Sequence, residues 1–132
     1  MVKSAGLIAK TVHPVVSTML PKANNKLGNF LQVWCSIKNE FYNGEAGLQF
    51  SINSTDDEQR NELFDSKSLS LAQISQLANE LPMPVGRKYT LNFPVTSQTI
   101  LDAKELSKLF DREKFIVKIT PIHETASAID SR

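Results

Sequence analysis

Residues 47–60 read GLQFSINSTDDEQR, and this stretch decides the fold that the sequence predicts. Large apolar residues alternate with small polar ones up to Asn53, as they do in a strand with one buried face. The apolar face carries Leu48, Phe50 and Ile52, and the polar face carries Gln49, Ser51 and Asn53. Thr55 and Glu58 then have the spacing of a capping box, so a helix is predicted to start directly after the strand.

The polar end of this strand is a candidate ligand site. Open α/β sheets and α/β barrels bind ligands where the strands end and run into βα loops. Ser51 and Asn53 are therefore predicted to face a ligand. The alternative is a polar strand face that meets solvent at the edge of a sheet.

The chain before this strand repeats the pattern of a strand followed by a helix. A short strand is predicted at residues 15–18, and an amphipathic helix follows it. Apolar residues at spacings of three and four give that helix one predicted core stripe, formed by Leu27, Phe30, Leu31, Trp34, Ile37 and Phe41. Asn43 and Gly44 are typical of a helix C-terminus, so the helix is predicted to end there.

The chain after residue 53 continues with three helices and two strands. A short helix is predicted at residues 56–64, and a second capping box, Ser70 with Gln73, starts a helix that Pro82 stops. The remaining segments are a strand at 88–95, a helix at 98–110, a strand at 114–120 and a polar tail at 125–132 that is predicted to be frayed.

These segments predict an α/β fold of about four βα units. Strands that alternate with helices, joined by crossovers of a dozen or more residues, are typical of parallel sheets. Eight units close a barrel, so about four give a partial (β/α) barrel or an open parallel sheet. Residues 1–132 are expected to form one such domain, cut at both ends.

Composition limits the classes of function. The chain of 132 residues is 41% hydrophobic and 22% charged, with a formal charge of +1, which gives no overall attraction to nucleic acid or membranes. No apolar run is long enough to span a bilayer, and a cytoplasmic protein is expected. The one cysteine, Cys35, excludes an internal disulfide and a cysteine-ligated iron–sulfur cluster built from this chain alone.

Residues 48–63, LQFSINSTDDEQRNEL, resemble a block of the radical S-adenosylmethionine (radical SAM) enzymes that methylate an adenosine of 23S ribosomal RNA. That family has a strand ending in Ser-Leu-His, then a turn and a helix with Asn-Asp-Glu and an arginine. Here the strand ends in Ser51-Ile52-Asn53, and Asp56, Asp57, Glu58 and Arg60 continue the match. Four further blocks are similar in the same order along the chain, namely 15–18 (VVST), 86–91 (GRKYTL), 102–109 (DAKELSKL) and 117–123 (VKITPIH).

The resemblance implies that S-adenosylmethionine is the cofactor. It assigns contacts with that cofactor, and no catalytic or metal-binding role, to Ser17, Ser51, Ile52, Asn53 and His123. The family's Cys-x-x-x-Cys-x-x-Cys motif is absent, and its Gly-Glu motif has no counterpart in the matching blocks. The 4Fe-4S cluster is thus expected only in an intact parent enzyme, whose missing N-terminal barrel half would be the partner and whose substrate would be RNA.

Two hypotheses follow. The chain is either the C-proximal part of such a barrel, contributing part of the cofactor site and inactive alone, or a non-catalytic α/β binding or interaction module derived from one. Simple structural roles are expected for three other residues: Cys35 as a packed or partly exposed thiol, Arg60 in a surface ion pair with Asp57 or Glu62, and His13 as a structural residue.

Overall fold

The computed structural model describes residues 14–122 and contains one sheet of four parallel strands in the order β1-β2-β3-β4. The strands are β1 (Val15–Thr18), β2 (Gly47–Ser51), β3 (Tyr89–Val95) and β4 (Phe115–Pro121). The predicted α/β fold with about four βα units is therefore confirmed. His13, His123 and the tail at 125–132 lie outside the described residues.

Helices fill each connection between neighbouring strands. They are α1 (Leu27–Ser36), which continues as a π-helical turn (Ile37–Phe41), α2 (Asp57–Leu63), α3 (Leu71–Glu80) and α4 (Ala103–Leu109). Crossovers between parallel strands are right-handed, so a sheet whose strands follow in chain order receives its helices on one face.

The core lies between that face of the sheet and the helices. It is formed from the strands by Leu48, Phe50, Tyr89, Leu91, Phe93 and Phe115, and from the helices by residues that include Leu31, Ile74 and Ala78. The alternate positions of β2 and β3 (Gln49, Ser51, Thr90 and Asn92) are only half-buried. We call this second surface the open face of the sheet.

The predicted core stripe of α1 is partly wrong. Leu27 and Leu31 are buried as expected, but Phe30 is 45% exposed and Phe41 is 76% exposed. The buried stripe continues instead through residues that the sequence does not mark as core, Cys35 and Lys38, which are both fully buried. The helix surface is apolar on more than one side, so periodicity alone does not select the side that meets the sheet.

The helix starts agree only in part with the predicted caps. Ser70 and Gln73 form the predicted capping box at the start of α3. The N-cap of α2 is Asp56 rather than Thr55, because the Thr55 hydroxyl donates to the carbonyl of Ile100 and accepts the amide of Asp102. Asp102 itself caps α4, which therefore begins at Ala103, later than the predicted start at residue 98.

Candidate functional site

The candidate site lies at the C-terminal edge of the sheet, where β2 ends and the chain turns into α2. Asn53 stands at this turn with a φ of 68°, in the left-handed region that costs an L-residue free energy. Its amide and that of Ile52 both donate to the carbonyl of Asn92, at 3.2 and 3.1 Å. The backbone of β3 thus fixes the end of β2.

The side chain of Asn53 has a buried oxygen without a hydrogen-bond partner among the described residues. Its Oδ1 is the one buried side-chain oxygen or nitrogen that has no hydrogen-bond partner within residues 14–122. A buried acceptor without a donor costs about 1–3 kcal/mol. Strain and an unpaired buried atom at one residue, at the C-terminal edge of a parallel sheet, are typical of a binding site.

Asn53 also lines a cleft of about 250 Å³ between α2 and the loop that follows β3. The cleft is lined further by Gln59, Glu62, Leu63, Pro94, Thr96, Gln98, Thr99 and Ile122. The Gln59 side chain donates to the carbonyl of Gln98 and accepts the amide of Ile100, both at 2.8 Å, so it holds the loop against α2. The cleft is therefore formed by packed elements on both sides.

The strand register aligns polar side chains across the open face. Ser51 is registered with Asn92, which is registered with Lys118 on β4. Neighbouring strands are about 4.8 Å apart, so this row extends across about 10 Å. We call Ser51, Asn92 and Lys118 the polar row. The sequence shows that each of these residues alternates with apolar neighbours, but it does not give the register that brings them into one line.

The other predicted site residues differ in position. Ser17 is exposed on the edge strand β1 and is registered with Gln49, one row closer to the N-terminal ends of the strands. The side chain of Ile52 is fully buried, and its backbone N–H and C=O already bond to Asn92 and to Arg60. His123 lies outside the described residues. The structure thus brings Ser51 and Asn53 together at the strand end, with Ser17 on the same face.

Arg60 forms the predicted ion pair with Asp57, at 4.0 Å, but it is buried rather than on the surface. It is 2% exposed, and its guanidinium donates to the carbonyls of Ile52 and Leu69, at 2.9 and 2.6 Å, and to the Ser68 hydroxyl, at 2.8 Å. Burial lowers the pKa of Arg60, and the nearby carboxylate of Asp57 opposes that shift. Arg60 therefore joins the end of β2, at the residue before Asn53, to the segment before α3.

A second buried polar group lies at the opposite end of the sheet, beside Tyr89 at the start of β3. The Lys38 ammonium donates to the carbonyl of Val85 at 2.8 Å and lies 5.5 Å from the centre of the Tyr89 ring. Burial lowers the pKa of Lys38 and raises the pKa of both Cys35 and Tyr89. Cys35 is packed inside the core, as predicted, far along the strands from Asn53.

The donors at the site fit a nucleoside-type cofactor and do not fit an iron–sulfur cluster. Hydroxyl and amide groups, as in Ser51, Asn53 and Asn92, suit ribose hydroxyls and base edges. The cluster needs several thiolates, whereas the chain has the single cysteine Cys35, which is buried at the other end of the sheet. Residues 14–122 contain no group of three side chains that could hold a metal ion.

No helix in the described part of the chain is long and apolar enough to cross a membrane. Comparison of the chain with models of known protein families, with curated proteins and with solved structures gives no match.

Proposed function

We propose that this chain binds S-adenosylmethionine at the C-terminal edge of its sheet, as the C-proximal part of a barrel similar to the radical SAM enzymes that methylate ribosomal RNA. The observation that carries the proposal is Asn53, which has a strained backbone and an unpaired Oδ1 and follows Ser51 by two residues in the chain. The resemblance of residues 48–63 to that family assigns cofactor contacts to the same two residues.

The role of the chain in this proposal is to bind and orient the cofactor. The Asn53 Oδ1 accepts a hydrogen bond from a ribose hydroxyl or an amino group, and the Ser51 hydroxyl both donates and accepts. The resemblance assigns further polar contacts to Ser17 and His123. When bound and reduced in an intact enzyme of this kind, the cofactor supplies a 5′-deoxyadenosyl radical, and RNA is the substrate that the resemblance implies.

Catalysis is not assigned to the chain by itself. Because it has only one cysteine, which is buried, we expect iron–sulfur reconstitution of the isolated chain to give no stoichiometric 4Fe-4S cluster. Absorption and electron paramagnetic resonance spectroscopy measure this directly. A stoichiometric cluster on the monomer would contradict the assignment.

Calorimetric titration with S-adenosylmethionine tests the binding site. We expect saturable binding by the wild type and a loss of about tenfold or more in Ser51→Ala and in Asn53→Gly, because each variant removes a polar contact of the proposed site. Ser36→Ala is the matched control, since Ser36 is an exposed serine at the end of α1. Equal affinities for the wild type and the site variants would refute the proposal.

A second candidate belongs to a different class, a non-catalytic α/β binding or interaction module that associates with another protein or with itself. The observation that favours it is the exposure of Ile116, Val117 and Ile119 on the edge strand β4. If S-adenosylmethionine does not bind and the chain associates with itself through β4, this second candidate replaces the first.

A further inference from the structure

Lys118 differs from the other lysines around the sheet. Lys38, Lys88 and Lys114 lie toward the N-terminal ends of the strands, and each ammonium donates to a backbone carbonyl. Lys118 lies on β4, in register with Asn92, and forms no ion pair or hydrogen bond with the other residues that the structure describes.

Among the described strand positions of the open face, no carboxylate balances its charge. The strand positions that share this face with Lys118 are neutral and mostly polar: Val15, Ser17, Gly47, Gln49, Ser51, Thr90, Asn92, Pro94, Ile116 and Thr120. An ammonium group without a neighbouring carboxylate attracts an anion, and hydrogen bonds to charged groups are stronger than those between neutral groups.

We propose that Lys118 and Asn92 form the anion-binding end of the ligand site. This inference rests on the proposed function and deepens it, because it assigns one end of the ligand to each end of the polar row. The neutral part of the ligand lies at Ser51 and Asn53, and a carboxylate or phosphate lies about 10 Å away at Lys118. Asn92 lies between them and donates and accepts hydrogen bonds through its amide.

Three adenosine compounds distinguish binding at the anion-binding end from binding at the neutral end of the site. S-Adenosylmethionine carries a carboxylate, adenosine 5′-monophosphate carries a phosphate, and 5′-methylthioadenosine carries no anion. We expect Lys118→Met to weaken binding of the anionic ligand that the site takes by about tenfold to a hundredfold. The affinity for 5′-methylthioadenosine should stay unchanged. The anionic compound whose affinity falls in Lys118→Met identifies the carboxylate or the phosphate as the natural anion.

Two further variants control the experiment. Lys118→Arg keeps the charge and should retain most of the affinity for the anionic ligand. Lys104→Met removes an exposed lysine from α4, on the helix side of the sheet, and should leave all affinities unchanged. Equal losses for anionic and neutral ligands in Lys118→Met, or no loss for either, would overturn the inference.

The result also separates this inference from the proposed function. If S-adenosylmethionine binds and depends on Ser51 and Asn53 but not on Lys118, the anion-binding end is refuted and the proposed function stands. If only adenosine 5′-monophosphate binds and depends on Lys118, the anion-binding end stands and the proposed cofactor is refuted. If none of the three compounds binds the wild type, both are refuted.

Lysine on an edge strand has another established use, which is to block pairing with other strands. That role predicts increased self-association of Lys118→Met with unchanged ligand affinity. Sedimentation velocity on the same variant measures it, and this outcome would overturn the inference.

Discussion

At the scale of single residues, Asn53 is the position where the proposed binding would conflict with the needs of folding. Its left-handed backbone and its unpaired Oδ1 both cost folding free energy. Residues of this kind are retained where a ligand uses the group that the fold leaves unpaired. The alternation in residues 47–53 predicts a polar residue here, but the backbone strain follows from the turn into α2 and is visible only in the structure.

This conflict gives a prediction for Asn53→Gly. Glycine adopts a positive φ without strain and removes the buried oxygen, at some cost in the entropy of the unfolded chain. We expect the free energy of unfolding to stay equal to that of the wild type or to rise by about 1 kcal/mol, while affinity for S-adenosylmethionine falls. Urea denaturation and calorimetric titration measure the two effects. Stability lost in parallel with affinity would show instead that Asn53 is a structural residue.

Tyr89 gives a second prediction at this scale, because burial raises the pKa of its phenol from an ordinary value of 10.0. The unfolded chain releases this proton as the pH rises past 10.0, whereas the folded chain keeps it. The stability that depends on the protonated phenol is therefore fully present below pH 10.0 and is lost above it, at up to about 1.4 kcal/mol per pH unit.

The Tyr89→Phe variant is compared with its parent in a Cys35→Ala background. Burial also raises the pKa of the Cys35 thiol, which would add a further loss of stability at alkaline pH. We expect urea denaturation at pH 8 and at about pH 11 to show a smaller alkaline loss of stability in the Tyr89→Phe variant than in its parent. The variant should also be less stable at pH 8 by about 1 kcal/mol, because the phenol donates to the carbonyl of Pro82 at 2.7 Å. Identical pH profiles would refute the assignment.

At the scale of elements, the strands and helices are predictable but their contacts are not. β1 agrees with its predicted range, and the other strands differ by one or two residues at their ends, because their alternation and the capping box of α3 are local signals. The buried side of α1 and the burial of Arg60 depend on partners distant in sequence. No local pattern marks Lys38 or Arg60 as core residues, because charged residues are usually exposed.

Arg60 gives the prediction at this scale. Arg60→Met fills similar space but removes the guanidinium that donates to the carbonyls of Ile52 and Leu69. We expect it to lower the free energy of unfolding by about 3–5 kcal/mol. The matched control is Arg87→Met, because Arg87 is exposed and donates to the carbonyl of Glu45 at 3.0 Å, and its loss should cost less than about 1 kcal/mol. Urea denaturation of both variants measures the difference, and equal costs would contradict the role assigned to Arg60.

At the scale of the whole molecule, the open sheet with one covered face is the feature that the sequence predicts best. Strands that alternate with helices give the parallel order, and the small polar residues of β2 indicate a face without a hydrophobic layer. The alternation along β2 predicts ligand contacts at Ser51 and Asn53, and the resemblance adds Ser17, Ile52 and His123. Asn92 and Lys118 join the proposed site only through the strand register, which depends on pairing between segments distant in the chain.

The edges of this sheet give the last prediction. β4 is an edge strand, no helix follows it within the described residues, and Ile119 on its helix side is 52% exposed. Unpaired strand edges with exposed apolar side chains pair with other chains. We therefore expect the chain to self-associate with rising concentration and Ile119→Lys to reduce that association, as measured by sedimentation velocity. Met83→Lys is the control, because Met83 is 55% exposed but lies in the loop after α3. If both substitutions reduce association equally, net charge rather than the β4 edge controls it; if neither does, association uses another surface.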